Sequence, residues 1–113
     1  MSCLFCRIGA GEIPARIAYQ DEQVVAFHDV DPKAPTHVLV IPREHVASVD
    51  AVEARHGPTL AAMVAAAQRV ARGVGAERSG YRLVFNHGPD AGQSVDHLHL
   101  HLLAGRPLTW PPG

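Results

Sequence analysis

The feature that most restricts this chain lies near its end, where imidazoles and leucines alternate without a break: His97-Leu98-His99-Leu100-His101-Leu102. A period of two suits a half-buried strand and cannot make the apolar stripe of a helix. The spacing therefore predicts a strand over Asp96–Leu103. His97, His99 and His101 should share one face, with Leu98, Leu100 and Leu102 directed into a core. A solvated face can carry any polar residue, but three imidazoles in register point to metal binding or catalysis. Spacing leaves two chemistries open. Either the row holds a metal that activates water, or one imidazole is a nucleophile whose neighbours handle charge and protons.

The rest of the chain supplies a fold for such a strand. Further strands are expected near Arg16–Gln20, Gln23–His28, His37–Ile41 and Tyr81–Phe85, with Asp31-Pro32-Lys33-Ala34-Pro35 a rigid connection and Pro42 closing the third. Leu60, Met63, Val64, Ala67, Ala71 and Val74 recur at helical intervals, so an amphipathic helix should start at Gly57-Pro58 and end at Gly73 or Gly75. A short N-terminal turn of helix precedes the glycines and proline of Gly9–Pro14. Together these describe one α+β domain over residues 1–113, with about five strands in a mainly antiparallel sheet. Gly88, Gly92 and Ser94, just before the row, form a loop whose amides and hydroxyl could surround a phosphate.

Charge excludes some partners. Ten Lys and Arg against eleven Asp and Glu give a net charge of −1, so no broad field gathers nucleic acid or anionic lipid. No apolar run approaches a membrane span, and Met1-Ser2-Cys3-Leu4-Phe5-Cys6-Arg7 lacks the apolar stretch of a secretory signal; a soluble, cytoplasmic protein is expected. The two cysteines, Cys3 and Cys6, form a C-x2-C pair, which in a reducing compartment points to metal binding or redox activity rather than a structural disulfide.

With these residues in view, the chain resembles the histidine-triad family. The resemblance extends beyond the row to Glu12-Ile13-Pro14-Ala15, Ala26-Phe27-His28-Asp29-Val30, Ala34-Pro35-Thr36-His37, Val40-Ile41-Pro42-Arg43-Glu44-His45, Gly92-Gln93-Ser94-Val95 and Trp110-Pro111-Pro112-Gly113. These look like the Hint branch, the nucleoside phosphoramidases. The resemblance implies a homodimer that hydrolyses the P–N bond of purine nucleoside 5′-phosphoramidates, aminoacyl-adenylates included, releasing AMP or GMP. His99 would attack phosphorus to form a nucleotidyl-histidine, its tautomer fixed by a backbone carbonyl near His97. Asn86, Ser94, His101 and loop amides after Gly92, through Gln93, would hold the phosphate oxygens, with Ser94 or His101 protonating the amine. His37 would orient the triad. Asp29 would accept the ribose hydroxyls. Phe5, Ile8, Ile13, Phe27, Val30 and Leu39 would line the purine pocket, and Trp110 would reach the neighbouring subunit's site.

By the same resemblance Cys3, Cys6, His45 and His97 form a structural zinc site, and no catalytic cofactor is required. His28 and His56 are assigned to solvated surface, and His87 departs from the acidic residue common after Asn in this loop. A dinucleoside-polyphosphate hydrolase, a non-catalytic nucleotide-binding scaffold and a metal enzyme using the row are the rival readings.

Overall fold

Residues 3–113 are described by a computed structural model; Met1 and Ser2, which open the stretch read above as lacking a secretory signal, lie outside them. Five segments rich in β-branched and aromatic residues form strands: β1 (Ile17–Gln20), β2 (Val24–His28), β3 (Thr36–Pro42), β4 (Tyr81–Phe85) and β5 (Leu100–Ala104). They make one sheet in the order β1-β2-β3-β5-β4, and every pairing is antiparallel. Three α-helices accompany it: α1 (Leu4–Gly9), α2 (Gly57–Gly73) and α3 (Ala76–Ser79). The α+β expectation, with one long helix and a short N-terminal one, is met. Among the described residues no helix is long and apolar enough to cross a membrane.

Strands β2 and β3 are buried on both faces, which is why they read as continuous apolar runs rather than as alternation. Val24, Ala26, Val38 and Val40 face α2, where Met63, Ala66, Ala67, Val70 and Ala71 complete the larger core with Leu98, Leu100 and Leu102. The small alanines let the helix backbone approach the sheet closely. On the opposite face Val25, Phe27, Leu39 and Ile41 pack against Phe5 of α1. The site forms on this second face, beside the smaller core. Helix α2 begins at Gly57-Pro58 and closes at Gly73, with Gly75 just beyond it at φ 76°.

Two expectations need correction. The strand assigned to Asp96–Leu103 starts only at Leu100. The β3–β5 register places Val40 opposite Leu100, so Leu98 would face Pro42, which has no amide to give. Leu98 N–H instead donates to Val46 O at 2.6 Å. His56, assigned to solvated surface, is buried at 3% exposure. Its Nδ1 accepts from Glu53 N–H at 2.9 Å and its Nε2 meets Glu44 Oε2 at 3.2 Å, forming a reciprocal cap on the turn that leads into α2. The Glu53-x-x-His56 spacing was the available signal.

Candidate active site and metal-ligand cluster

The histidine row divides between two sites. His97 has its Nε2 2.8 Å from Pro42 O, and a carbonyl can only accept, so the proton sits on Nε2 and the Nδ1 lone pair points elsewhere. That lone pair faces Cys3 Sγ at 3.5 Å, Cys6 Sγ at 3.5 Å and His45 Nδ1 at 3.2 Å, while Cys6 Sγ stands 3.3 Å from His45 Nδ1. Zinc at its usual tetrahedral bond lengths separates a sulfur from a nitrogen ligand by about 3.5 Å and two nitrogens by about 3.3 Å. The donor set fits such an ion: two thiols and two imidazoles converge, and one imidazole is already oriented by a backbone carbonyl behind it. Burial, then the neighbouring Cys3, pushes the metal-free Cys6 thiol up.

His99 and His101 remain on the other site, their rings 5.0 Å apart. His99 Nδ1 donates to His97 O at 2.7 Å, which leaves Nε2 as a bare lone pair. The rings of Phe5 and His99 pack in a T-shaped pair at 5.1 Å and 89°. Because Phe5 lies between Cys3 and Cys6 on α1, the cysteine cluster and this ring share one short helix.

A second chain of hydrogen bonds fixes His101. Lys33 N–H donates to His37 Nδ1 at 3.0 Å, so the neutral His37 carries its proton on Nε2. That atom lies 2.9 Å from His101 Nδ1 and 3.4 Å from Asp29 Oδ2. His101 Nδ1 is therefore an acceptor, and its Nε2 carries a hydrogen. Asn86 Nδ2, a further donor, stands 3.5 Å from it. Burial, then the charges of His99 and His37, lowers the His101 pKa to about 4. The relay also disfavours a metal at the Asp29–His37–His101 group, since Nε2 ligation would put a proton on His37 Nδ1 opposite the Lys33 amide hydrogen.

Both imidazoles open onto a cavity of about 740 Å³, within the range of small-molecule sites. Phe5, Ile8, Ile13, Phe27, Val30 and Leu39 line it, as do Asp29 and Ser94. Sequence reasoning missed Leu4, Pro14, Ala15, Arg16, Pro32 and Val95 there. It also misplaced His28, which is half-buried and lines the cavity. Four residues expected at the nucleotide stand off the lining: Asn86, which lies against His101, Gly92 (φ 79°), Gln93, whose side-chain amide is bonded to backbone, and Trp110, which is 80% exposed. The amides of Gly88, Gly92 and Gln93 are spent inside the loop, which leaves Ser94 and the residues after it as donors.

Residues 10–108 match the HIT domain, and the chain belongs to the HIT family. It is 45% identical to the purine nucleoside phosphoramidase of Escherichia coli over 105 residues, covering 93% of this chain and 88% of that protein. A 14 kDa zinc-binding protein of Zea mays is 45% identical over 112 residues, covering 97% and 87%. The crystal structure of a HIT family hydrolase from Legionella pneumophila superposes with a TM-score of 0.97 at 47% identity, covering 99% of this chain and all of that one.

Proposed function

We propose that this protein is a HIT family hydrolase that cleaves the P–N bond of purine nucleoside 5′-phosphoramidates through a covalent intermediate on His99. The observation that carries this reading is the His99 Nδ1–H bond to His97 O, which leaves an unprotonated Nε2 facing the cavity. The E. coli relative's name supports the substrate class. The apolar wall of Phe5, Ile8, Ile13, Phe27, Val30 and Leu39 suits a purine, and Asp29 suits the ribose hydroxyls.

In the first step His99 Nε2 forms a bond to the α-phosphorus as the P–N bond breaks, and the amine leaves with a proton from His101 Nε2 or Ser94. In the second, water attacks phosphorus and returns a proton to the group that protonated the amine, the bond to His99 Nε2 breaks and the nucleoside monophosphate is released. His101 Nε2–H and Asn86 Nδ2 are two donors that cannot satisfy each other, which suits a phosphate oxygen between them. Cys3, Cys6, His45 and His97 would hold a structural zinc, with all four positions supplied by protein and none open for water. Held there, zinc would stiffen the scaffold, and both steps fall to the protein's own residues. The protein further acts as a homodimer in this reading, for which the unpaired outer edge of β4 and the exposed Trp110 are the support, and its location is cytoplasmic.

Rapid quenching with an adenosine 5′-phosphoramidate tests the proposal. Mass analysis should find an adenylate on the peptide containing His99. Turnover without any such adduct, or an adduct on another residue, would overturn it.

A further inference from the structure

The loop from Asn86 to Val95 connects β4 to the histidines and carries Ser94 into the cavity. Its hydrogen bonds converge on one side chain. Gln93 Oε1 accepts from Gly88 N–H at 3.0 Å, while Nε2 donates to Ala47 O at 3.0 Å and to Val95 O at 3.1 Å. The Gln93 backbone N–H closes the same turn by donating to Gly88 O at 3.1 Å. Both side-chain N–H donors are thus engaged with backbone carbonyls, and none is left for a ligand. Ala47 belongs to the segment that follows His45. Its neighbours make two further ties, Leu98 N–H to Val46 O at 2.6 Å and His87 Nδ1 to Ser48 Oγ at 2.8 Å. The loop is therefore stitched to residues 46–48 near each end, and Gln93 makes the stitch in between.

We infer that Gln93 is a positioning residue for the phosphate site, which sets where Ser94 and its amide stand relative to His99 and does not touch the nucleotide itself. Ser94 is the next residue in the chain, so slack at Gln93 passes directly to it. Displacements of about 1 Å at such donors are costly because catalysis here depends on placement. The inference rests on the nucleotide reading of the cavity given above.

The test uses Gln93→Met, which matches the side-chain length without hydrogen bonds, and Gln93→Asn, which is one methylene too short to span the gap. Two quantities are measured: residue-resolved amide hydrogen exchange in the free protein, and the affinities for adenosine and for AMP. In Gln93→Met the Gly88 amide should exchange about tenfold faster. AMP affinity should fall about tenfold and adenosine affinity by less than about twofold, since only the phosphate reads the loop. Gln93→Asn should shift both in the same direction by a smaller factor, and decides the matter alone if the Met variant does not fold. Weaker AMP binding with unchanged exchange at Gly88 would mean direct contact and overturn the inference. Equal losses for adenosine and AMP, or no change in either quantity, would overturn it too. If the unaltered protein bound neither adenosine nor AMP, the nucleotide reading would fall, while the exchange measurement would still report on the clamp.

Discussion

His99 and His101 lie two residues apart, and their hydrogen bonds give their outward-facing nitrogens opposite character. A carbonyl behind His99 accepts a hydrogen bond from Nδ1–H and so leaves Nε2 bare, whereas the relay from the Lys33 amide through His37 keeps a hydrogen on His101 Nε2. Replacing His99 by Ala should lower turnover by about 10³-fold or more while AMP still binds, which calorimetry beside a steady-state assay would check. His101 also ties stability to pH. Its folded pKa of about 4 lies below its ordinary 6.5, so the unfolded chain takes up a proton first as the medium is acidified. The folded state should lose stability progressively from pH 6.5 toward pH 4. His37, lowered chiefly by burial, acts in the same direction. Urea midpoints measured across this window should decline, and the decline should be shallower in His101→Asn; an unchanged slope in that variant would contradict the assignment.

At the scale of elements, the segments whose pattern was local were legible in the sequence. Tyr81–Phe85 is a strand over the residues its composition indicated, and α2 runs from Gly57-Pro58 to Gly73 as its punctuation implied. The histidine strand was legible in its facing but not in its start, because alternation cannot reveal that the partner position is Pro42 or that the His97 ring turns to the cysteines. His56 was misread because its burial depends on Glu44, twelve residues away. The tautomers of His37 and His101 were equally hidden, since the group that sets them is the main-chain amide of Lys33, whose side chain is itself exposed. The end of β5 offers a prediction from geometry. Gly105 has φ 97°, and a Cβ there would stand 2.8 Å from Pro35 Cβ. Gly105→Ala should cost about 1–3 kcal/mol and lower the thermal midpoint by roughly 5 °C or more in a melting curve.

For the whole molecule, the cysteine–histidine cluster and the His99–His101 site share a scaffold, and the proposed function gives them separate roles. Cys3 and Cys6 flank Phe5, and His97 both joins the cysteine cluster and supplies the carbonyl that orients His99. Stripping zinc from the loaded protein should lower its melting temperature, yet turnover measured immediately after chelation should persist, whereas loss of activity on mixing would mean that the metal acts in the chemistry. If the protein is the homodimer proposed, its sedimentation mass should be twice that of the 12.1 kDa chain. The central claim concerns how phosphorus is attacked, and stereochemistry reads that directly. With a phosphoramidate made chiral at phosphorus and hydrolysed in isotope-labelled water, two successive displacements through His99 predict net retention of configuration; net inversion would mean that water attacks in a single step and would contradict the account.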